Sequence, residues 1–318
     1  MARHATESTR LAPFDEEMAL ILKALDVRQI AFYQPGSDPL GPWSLVSSWD
    51  ARDRVARNLW FTQTGAGSTD FPGDLTKSDC NWYVMQEPVF DCGDGRDYYC
   101  PDDPGIKHVG WSGSKLLVFL ASMTFDDEGV RACDGSGAGH PGPWVAFDAA
   151  ELFRDGARKW DGQCNCYSKT GTVGDGCGEI NVFEVVLDDN AYSNREFIST
   201  GVRSYQAGHI GGSVCGAECT RDGFPQDVDV VDACTKQAYA TGPVVDAGGE
   251  ADGCPVWRRP VGDRYFMILL DEPSRTIQVA VVHPQGIPSK AVALLPDLPA
   301  TLDRGVVDDL VAMRLPSP

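Results

Sequence analysis

The sequence has few basic residues and no long apolar run, and both absences exclude classes of function. Its 318 residues include 27 Lys and Arg against 46 Asp and Glu, a formal net charge of -19. A negative field of this size repels phosphate backbones and anionic lipids, so neither a nucleic acid nor a membrane is an expected partner. No apolar segment reaches the ~20 residues that a membrane-spanning helix needs. A neutral polymer remains an acceptable substrate.

Signatures of metal and nucleophile chemistry are also missing. The chain has 5 histidines, and His108, His140 and His209 have no companion at a ligand spacing. No serine stands in a G-x-S-x-G elbow. The glycine-rich run at residues 174–178 enters a predicted strand, whereas a phosphate-binding loop leaves a strand for a helix. We therefore expect no cofactor and no resident metal.

Cysteine, by contrast, is abundant, with 11 residues between Cys80 and Cys254. Such crowding is typical of disulfides that hold long loops, and hence of an oxidising compartment. The odd count leaves at least one thiol without a partner in the chain. The alternative is a zinc site that includes Cys164, Cys166 and Cys177, but C-x-x-C pairs are absent. We expect a secreted or cell-surface protein, although no signal peptide is visible.

The pattern of apolar residues predicts an all-β chain. Short β-branched runs alternate with clusters of Gly, Pro, Asp and Ser, which favours a β-sandwich over a β-α-β array. The predicted strands are residues 29–33, 58–61, 81–85, 115–123, 144–147, 179–187, 197–205, 264–270 and 276–283, and the last two form a hairpin. Residues 18–25 predict a short amphipathic helix after an acidic cap. A second helix is predicted at residues 301–314.

These elements predict two parts of unequal size. Residues 1–28 would form an N-terminal helical extension, and residues 29–318 a single β-sandwich domain. Residues 208–256 are rich in Cys and Gly, and a long connection of this kind is more plausibly a disulfide-pinned insertion than a separate domain.

One predicted strand carries the candidate chemistry. In a regular strand Glu179 and Asn181 share a face and Glu184 lies on the other. A single β-bulge adds one residue and brings all three to the same face. Two carboxylates on one face, one ionised as nucleophile and one protonated as acid, are the minimum equipment of a glycosidase. The alternative is a solvated sheet surface, but two unpaired carboxylates in so apolar a strand are costly unless they are functional.

The segment Gly176-Cys177-Gly178-Glu179-Ile180-Asn181-Val182-Phe183-Glu184-Val185 resembles the signature of a fungal cell-wall family of glucan endo-1,3-β-glucosidase-like proteins. That family is distantly similar to the laminarinase and lichenase clan, whose signature is Glu-x-Asp-x-x-Glu. Shorter segments are similar in the same order between about Ile30 and Leu310, among them residues 30–37, 111–119, 143–148 and 204–208. The resemblance implies a concanavalin A-like jelly-roll β-sandwich with a glucan cleft across its concave sheet.

The same resemblance implies residue roles. Glu179 corresponds to the nucleophile and Glu184 to the general acid/base of a retaining endo-β-glucanase, with β-1,3-glucan as the expected polysaccharide. Asn181 stands where the clan has an aspartate, and an asparagine can hydrogen-bond but cannot titrate. Aromatic rings can stack on the apolar face of a sugar, although a buried core position is the alternative for each tryptophan. The predicted substrate-binding residues are Trp111, Trp144, Tyr205 and Gln206.

Two functions stay open on the sequence alone. The first is a hydrolase or transglycosylase that acts on a cell-wall β-glucan. The second is a non-catalytic glucan-binding or structural wall protein, in which Asn181 marks a degenerate site. The sequence leaves the glucan linkage and the oligomeric state open.

Overall fold

The computed structural model of the protein is an all-β structure with a few short helices. It describes residues 18–38, 40–62, 70–77, 81–90, 107–123, 144–149, 179–185, 197–202, 237–238, 256–258, 262–273, 276–282 and 290–312. All 11 cysteines lie outside these ranges, and so does nearly all of the predicted insertion at residues 208–256. The predicted disulfides therefore stay a prediction.

The described residues form sixteen strands. In chain order they are β1 (Met18–Lys23), β2 (Asp26–Pro35), β3 (Trp43–Asp50), β4 (Val55–Arg57), β5 (Trp60–Thr62), β6 (Trp82–Phe90), β7 (Lys107–Val109), β8 (Lys115–Ser122), β9 (Trp144–Ala149), β10 (Glu179–Val185), β11 (Phe197–Val202), β12 (Gln237–Ala238), β13 (Val256–Arg258), β14 (Asp263–Asp271), β15 (Thr276–Val282) and β16 (Thr301–Leu302).

The strands form two sheets of eight strands each. Sheet A has the order β13-β11-β10-β9-β1-β6-β5, with β7 paired to β6. Sheet B has the order β12-β15-β14-β8-β2-β3-β16, with β4 paired to β3. The strand pairs are antiparallel except for β12 and β15, which run parallel. The predicted hairpin is confirmed, because β14 and β15 pair from Tyr265 and Val282 to Asp271 and Thr276.

One apolar core lies between the two sheets. Leu20 and Phe147 of sheet A belong to the same buried cluster as Phe32 and Phe266 of sheet B. Across the interface, the rings of Phe183 and Phe266 pack edge to face with centroids 5.0 Å apart. Full burial of an aromatic or branched side chain contributes roughly 1.5–3 kcal/mol, so this core accounts for the pairing of the sheets.

A second apolar layer covers the other face of sheet B. It is built by helix α1 (Lys290–Leu294), the 3-10 turn Leu295–Asp297 and helix α2 (Arg304–Ala312). Leu295 and Leu310 pack there against residues of β8 and β14. The Arg304 guanidinium also donates two hydrogen bonds to the buried Asp271 carboxylate, at 2.9 and 3.1 Å. Sheet B is thus covered on both faces.

The predicted N-terminal helix is wrong. Residues 18–23 form β1, which lies between β9 and β6 in the middle of sheet A. The five residues from Met18 to Leu22 are all fully buried, which suits a strand packed on both faces, whereas a surface helix exposes one side. A short continuous apolar run does not distinguish these two structures. Residues 18–28 consequently belong to the sandwich and not to an extension.

The other predicted elements overlap observed ones. Each of the nine predicted strands coincides at least in part with a strand of the structure. The predicted C-terminal helix is confirmed over Arg304–Ala312, but Thr301–Leu302 is a strand that pairs with β3. Strand β3 itself, an eight-residue strand of sheet B, was not predicted.

Candidate functional site

The predicted β-bulge is present in β10. Against β9, Asn181 is opposite Ala146, but Phe183 is already opposite Val145. One residue of β10, Val182, therefore has no counterpart on β9. The register with β11 shifts by one residue over the same interval, between Asn181 and Glu184. An extra residue seen from both neighbouring strands defines a β-bulge.

The register assigns the positions of β10 to the two faces of sheet A. Ile180 and Phe183 are opposite Phe147 and Val145, which are fully buried core residues. Directly opposed residues lie on the same face of a sheet. Positions 179, 181 and 184 therefore belong to the other face, which we call the outer face of sheet A. The bulge is what brings position 184 to the same face as position 179.

The neighbouring strands contribute further positions to the outer face. Glu179 is opposite Asp148 on β9, and Glu184 is opposite Trp144. On β11, Ser199 is opposite Glu184 and Gly201 is opposite Asn181. On the far side of β9, strand β1 contributes the positions Ala19, Ile21 and Lys23, which are opposite Asp148, Ala146 and Trp144.

The β1 part of the outer face is shielded from water. Ala19 and Ile21 are both 0% exposed, although neither belongs to the core between the sheets. Lys23, in the next row, is half-buried. Ala19 and Ile21 therefore offer no surface to a ligand.

Trp111 is not part of the site, which corrects its predicted role in glucan binding. The side chain is 0% exposed. Its ring stacks on Phe32 with centroids 3.6 Å apart, and its Nε1 donates a hydrogen bond of 3.2 Å to the Ser47 hydroxyl. The segment is held in place because Trp111 and Met18 exchange backbone hydrogen bonds of 2.9 and 3.1 Å. A fully buried ring offers no face to a sugar.

The other predicted substrate-binding residues have different outcomes. Trp144 lies on β9 in the row of Glu184, so its position is next to that of the predicted acid/base. Tyr205 and Gln206 lie outside the described residues, since β11 is described only to Val202. Asp148, whose position also belongs to the outer face, was not among the predicted site residues. The signal was present in the alternation of Trp144, Ala146 and Asp148 with the core residues Val145 and Phe147.

A separate groove lies at one end of sheet B. It has a volume of about 690 Å³ and is lined in part by Gln34, Ser114 and Glu272. The Gln34 side chain spans its wall, donating a hydrogen bond of 2.6 Å to the Ser112 carbonyl. None of the predicted site residues contributes to its described lining, so the groove is not part of the site on sheet A.

The described residues contain neither a cluster of metal ligands nor a membrane-spanning helix. In the described part of the chain, no group of three or more His, Cys, Asp or Glu side chains is arranged to hold a metal ion. No helix among the described residues combines the length and apolar character needed to cross a membrane.

Comparison with known proteins identifies no relative: no protein-family model matches the chain, and no curated protein and no solved structure matches it.

Proposed function

We propose that the protein is a retaining hydrolase or transglycosylase that acts on a β-glucan, with Glu179 as nucleophile and Glu184 as general acid/base. The observation that carries the proposal is the bulge at Val182, because it gives the two glutamate positions and Asn181 a common face of sheet A. A regular strand would have separated the glutamates by the thickness of the sheet, and no shared sugar could then have reached both.

The architecture supports the finer fold assignment within the same proposal. Two eight-stranded sheets packed face to face are compatible with a concanavalin A-like jelly roll, in which the glucan cleft crosses the concave sheet. Because both faces of sheet B are covered, the outer face of sheet A is the natural location of such a cleft. The negative charge of the chain suits a neutral polymer better than an anionic one.

The spacing along β10 fits a retaining mechanism. With one bulged residue, the α-carbons of Glu179 and Glu184 are about four strand steps, or ~13 Å, apart. A retaining mechanism needs the two carboxyl groups roughly 5–5.5 Å apart, and an inverting one needs a wider gap for water. Two glutamate side chains inclined toward each other bridge this distance.

The proposed reaction has two steps. The Glu179 carboxylate attacks the anomeric carbon, the glycosidic C–O bond breaks, and Glu184 gives its proton to the leaving oxygen. In the second step Glu184 takes a proton from water or from an acceptor hydroxyl. That oxygen then attacks the anomeric carbon and releases Glu179. Asn181 orients the carboxylates by hydrogen bonding, and Trp144 offers an aromatic surface next to the acid/base.

Two substitutions test the roles separately. Glu179→Gln should abolish the release of reducing ends from laminarin, because an amide does not attack the anomeric carbon. Glu184→Gln should abolish laminarin hydrolysis but still release a nitrophenol from an aryl β-glucoside, whose leaving group needs no proton. Glu87→Gln, a change at an exposed position of β6 in the same sheet, is the matched control. Unchanged laminarin turnover in Glu179→Gln would exclude the proposed nucleophile.

A non-catalytic glucan-binding protein is the second candidate function. It is favoured by Asn181 in place of an aspartate and by the full burial of Ala19 and Ile21 on the outer face. Retention of laminarin binding by the wild-type protein, with no products from pH 3 to 9, would support this alternative.

A further inference from the structure

The groove at one end of sheet B is formed where three neighbouring strands turn. Strands β14, β8 and β2 are consecutive in the sheet, and each is antiparallel to the next. The end of β2, the start of β8 and the end of β14 therefore lie along one edge of the sheet. The segments at these ends supply most of the described lining, at residues 34–37, 112–114 and 272–273. The register of the sheet thus sets the position of the groove.

Hydrogen bonds hold the wall of the groove in place. The Gln34 Nε2 donates to the carbonyls of Ser112 and Ser114, at 2.6 and 3.4 Å. Because both partners are acceptors, the amide nitrogen must face them, and the Gln34 Oε1 remains as an acceptor. The Ser114 hydroxyl accepts a hydrogen bond of 2.9 Å from the backbone N–H of Glu272. The turn at residues 112–114 and the backbone of Glu272 are therefore tied to the strand ends.

The Glu272 carboxylate lies beside Gly113. A β-carbon at position 113 would be 3.6 Å from the Glu272 Oε2. Gly113 has a φ of +69°, which glycine adopts without strain, so no side chain at this position covers the carboxylate. Glu272 is half-buried, and within the described part of the chain its carboxylate has no hydrogen-bond or ion-pair partner. A partly desolvated carboxylate of this kind favours a cation as its partner.

The other described lining groups suit the same kind of partner. The Gln34 Oε1 and the Glu272 carboxylate are both acceptors, so a ligand must supply the donors. A primary ammonium group has three N–H donors, no acceptor and one positive charge. Its alkyl stem can pack on apolar walls as a lysine stem does, and the groove offers Pro35, Val46 and Pro273 for this contact. The net charge of -19 also attracts cations to the protein.

Two other ligand classes fit the groove less well. A metal ion needs several ligands, and the described residues contain no cluster of three or more His, Cys, Asp or Glu that could hold one. A neutral sugar is typically stacked on an aromatic ring, and the described lining contains none. The volume of about 690 Å³ is typical of small-molecule sites, which range from about 300 to 1,000 Å³.

We propose that this groove is a second binding site, which takes the ammonium end of a small primary amine with Glu272 as its counter-ion. The Gln34 Oε1 accepts a further hydrogen bond from the ammonium group, and the alkyl stem lies against the apolar walls. This inference does not depend on the proposed glucan activity, because none of the groups that carry it belongs to sheet A.

Saturation-transfer NMR with pentylamine, which is protonated at pH 7, tests the site. The wild-type protein should bind pentylamine with a dissociation constant on the order of 1 mM, as expected for so small a ligand. Pentanol has the same apolar stem without the charge and should bind about tenfold more weakly or worse. Equal affinities for the two probes would overturn the inference, because the carboxylate would then contribute nothing.

Glu272→Gln removes the counter-ion and keeps the shape of the side chain. It should lower the affinity for pentylamine about tenfold, to the level of pentanol. Asp309→Asn is the matched control, since it removes one negative charge from an exposed position of α2. It should leave the affinity unchanged. An equal loss in both variants, or no loss in Glu272→Gln, would show that pentylamine binds through the general negative charge of the protein and not in the groove.

Arg275 is the nearest cationic residue in the sequence and lies outside the described residues. Arg275→Gln tests whether this side chain competes with the amine for Glu272. With Glu272 available in the wild-type protein, the affinity for pentylamine should change by less than about threefold. If pentylamine binds only after Arg275 is removed, Glu272 is already paired within the chain and the inference is wrong.

Discussion

The stability of a variant that lacks Val182 distinguishes a bulged β10 from a regular one. In the bulged register Ile180 and Phe183 lie on the core face, and Glu179, Asn181 and Glu184 lie on the outer face. Removing the extra residue leaves this assignment intact, because the remaining residues then alternate regularly. The protein loses one fully buried valine. We therefore expect deletion to lower the free energy of unfolding by roughly 2–4 kcal/mol, from lost burial and the cavity left behind.

A regular β10 predicts a very different cost. In a regular strand that keeps Phe183 in the core, Glu179 and Asn181 face the core as well, and Ile180 and Glu184 face outward. Deletion of Val182 would then reverse the faces of every residue after it, moving Phe183 out of the core and Glu184 into it. Loss of a buried phenylalanine costs about 3–5 kcal/mol, and burial of an unpaired carboxylate adds several kcal/mol. The sum approaches the whole stability of a typical domain, about 5–15 kcal/mol, so the chain would not fold.

Val182→Ala is the matched control, since it removes most of the same side chain without changing the residue count. Urea denaturation followed by far-UV circular dichroism measures both variants. The bulged geometry predicts that the free energies of unfolding of the deletion variant and of Val182→Ala differ by no more than about 2 kcal/mol. This is the scale of the local backbone strain that remains when a strand closes over a deleted residue. A deletion variant that fails to fold, beside a stable Val182→Ala protein, would contradict the register described for β10.

Three further predictions concern side chains that hold the sandwich together. Ser47→Ala should lower the free energy of unfolding by about 1–3 kcal/mol, because the buried Trp111 Nε1 then loses its acceptor. In a Trp111→Phe background, urea denaturation should show a clearly smaller loss of stability for Ser47→Ala. Equal losses in the two backgrounds would show that the hydrogen bond between Trp111 and Ser47 contributes nothing. Burial on its own raises the pKa of Asp50, but hydrogen bonds from its arginine and glutamine neighbours outweigh burial and hold that pKa below its usual value. The ionised Asp50 therefore stabilises the folded protein above about pH 4, and this stabilisation is lost as the pH falls further. Asp50→Asn should make the free energy of unfolding depend less on pH in the acid range. An unchanged pH dependence in this variant would refute the stabilising role of the Asp50 carboxylate. Gly110→Ala should destabilise the folded protein strongly, since the new β-carbon would lie 2.5 Å from a backbone oxygen. Gly305→Ala is the control, because its β-carbon meets open space in an exposed helix. Thermal unfolding should show that this second variant is more stable than the wild-type protein by up to about 1 kcal/mol.

The strand pattern was predictable wherever alternation or β-branched runs lay between turn residues. Residues 264–282 illustrate this, because two apolar runs flank a short polar connection and pair as a hairpin. The site strand was predictable for a similar reason. The apolar residues Ile180 and Phe183 must both face the core, and their spacing of three along a strand is possible only with one extra residue.

The errors arose where local signals fit more than one structure. Residues 18–25 follow three acidic residues and read as a capped helix, but the run from Met18 to Leu22 is buried on both faces of sheet A. Packing within the sandwich therefore makes this segment a strand, although its local sequence pattern predicts a helix. The role of Trp111 was likewise decided by packing, since nothing in the sequence distinguishes an indole stacked on Phe32 from one available to a sugar.

The burial of the outer face of sheet A limits where a polysaccharide could bind. Ala19, Ile21, Tyr83 and Met85 are all buried, yet they belong to neither of the two apolar clusters. An open cleft across β1 and β6 would expose these residues to water. A cleft that includes β9, β10 and β11 is therefore more compatible with the structure, and Trp144, Asp148 and the two glutamates all lie on these strands. A glucan bound there would contact β10 and its two neighbours while leaving β1 and β6 covered.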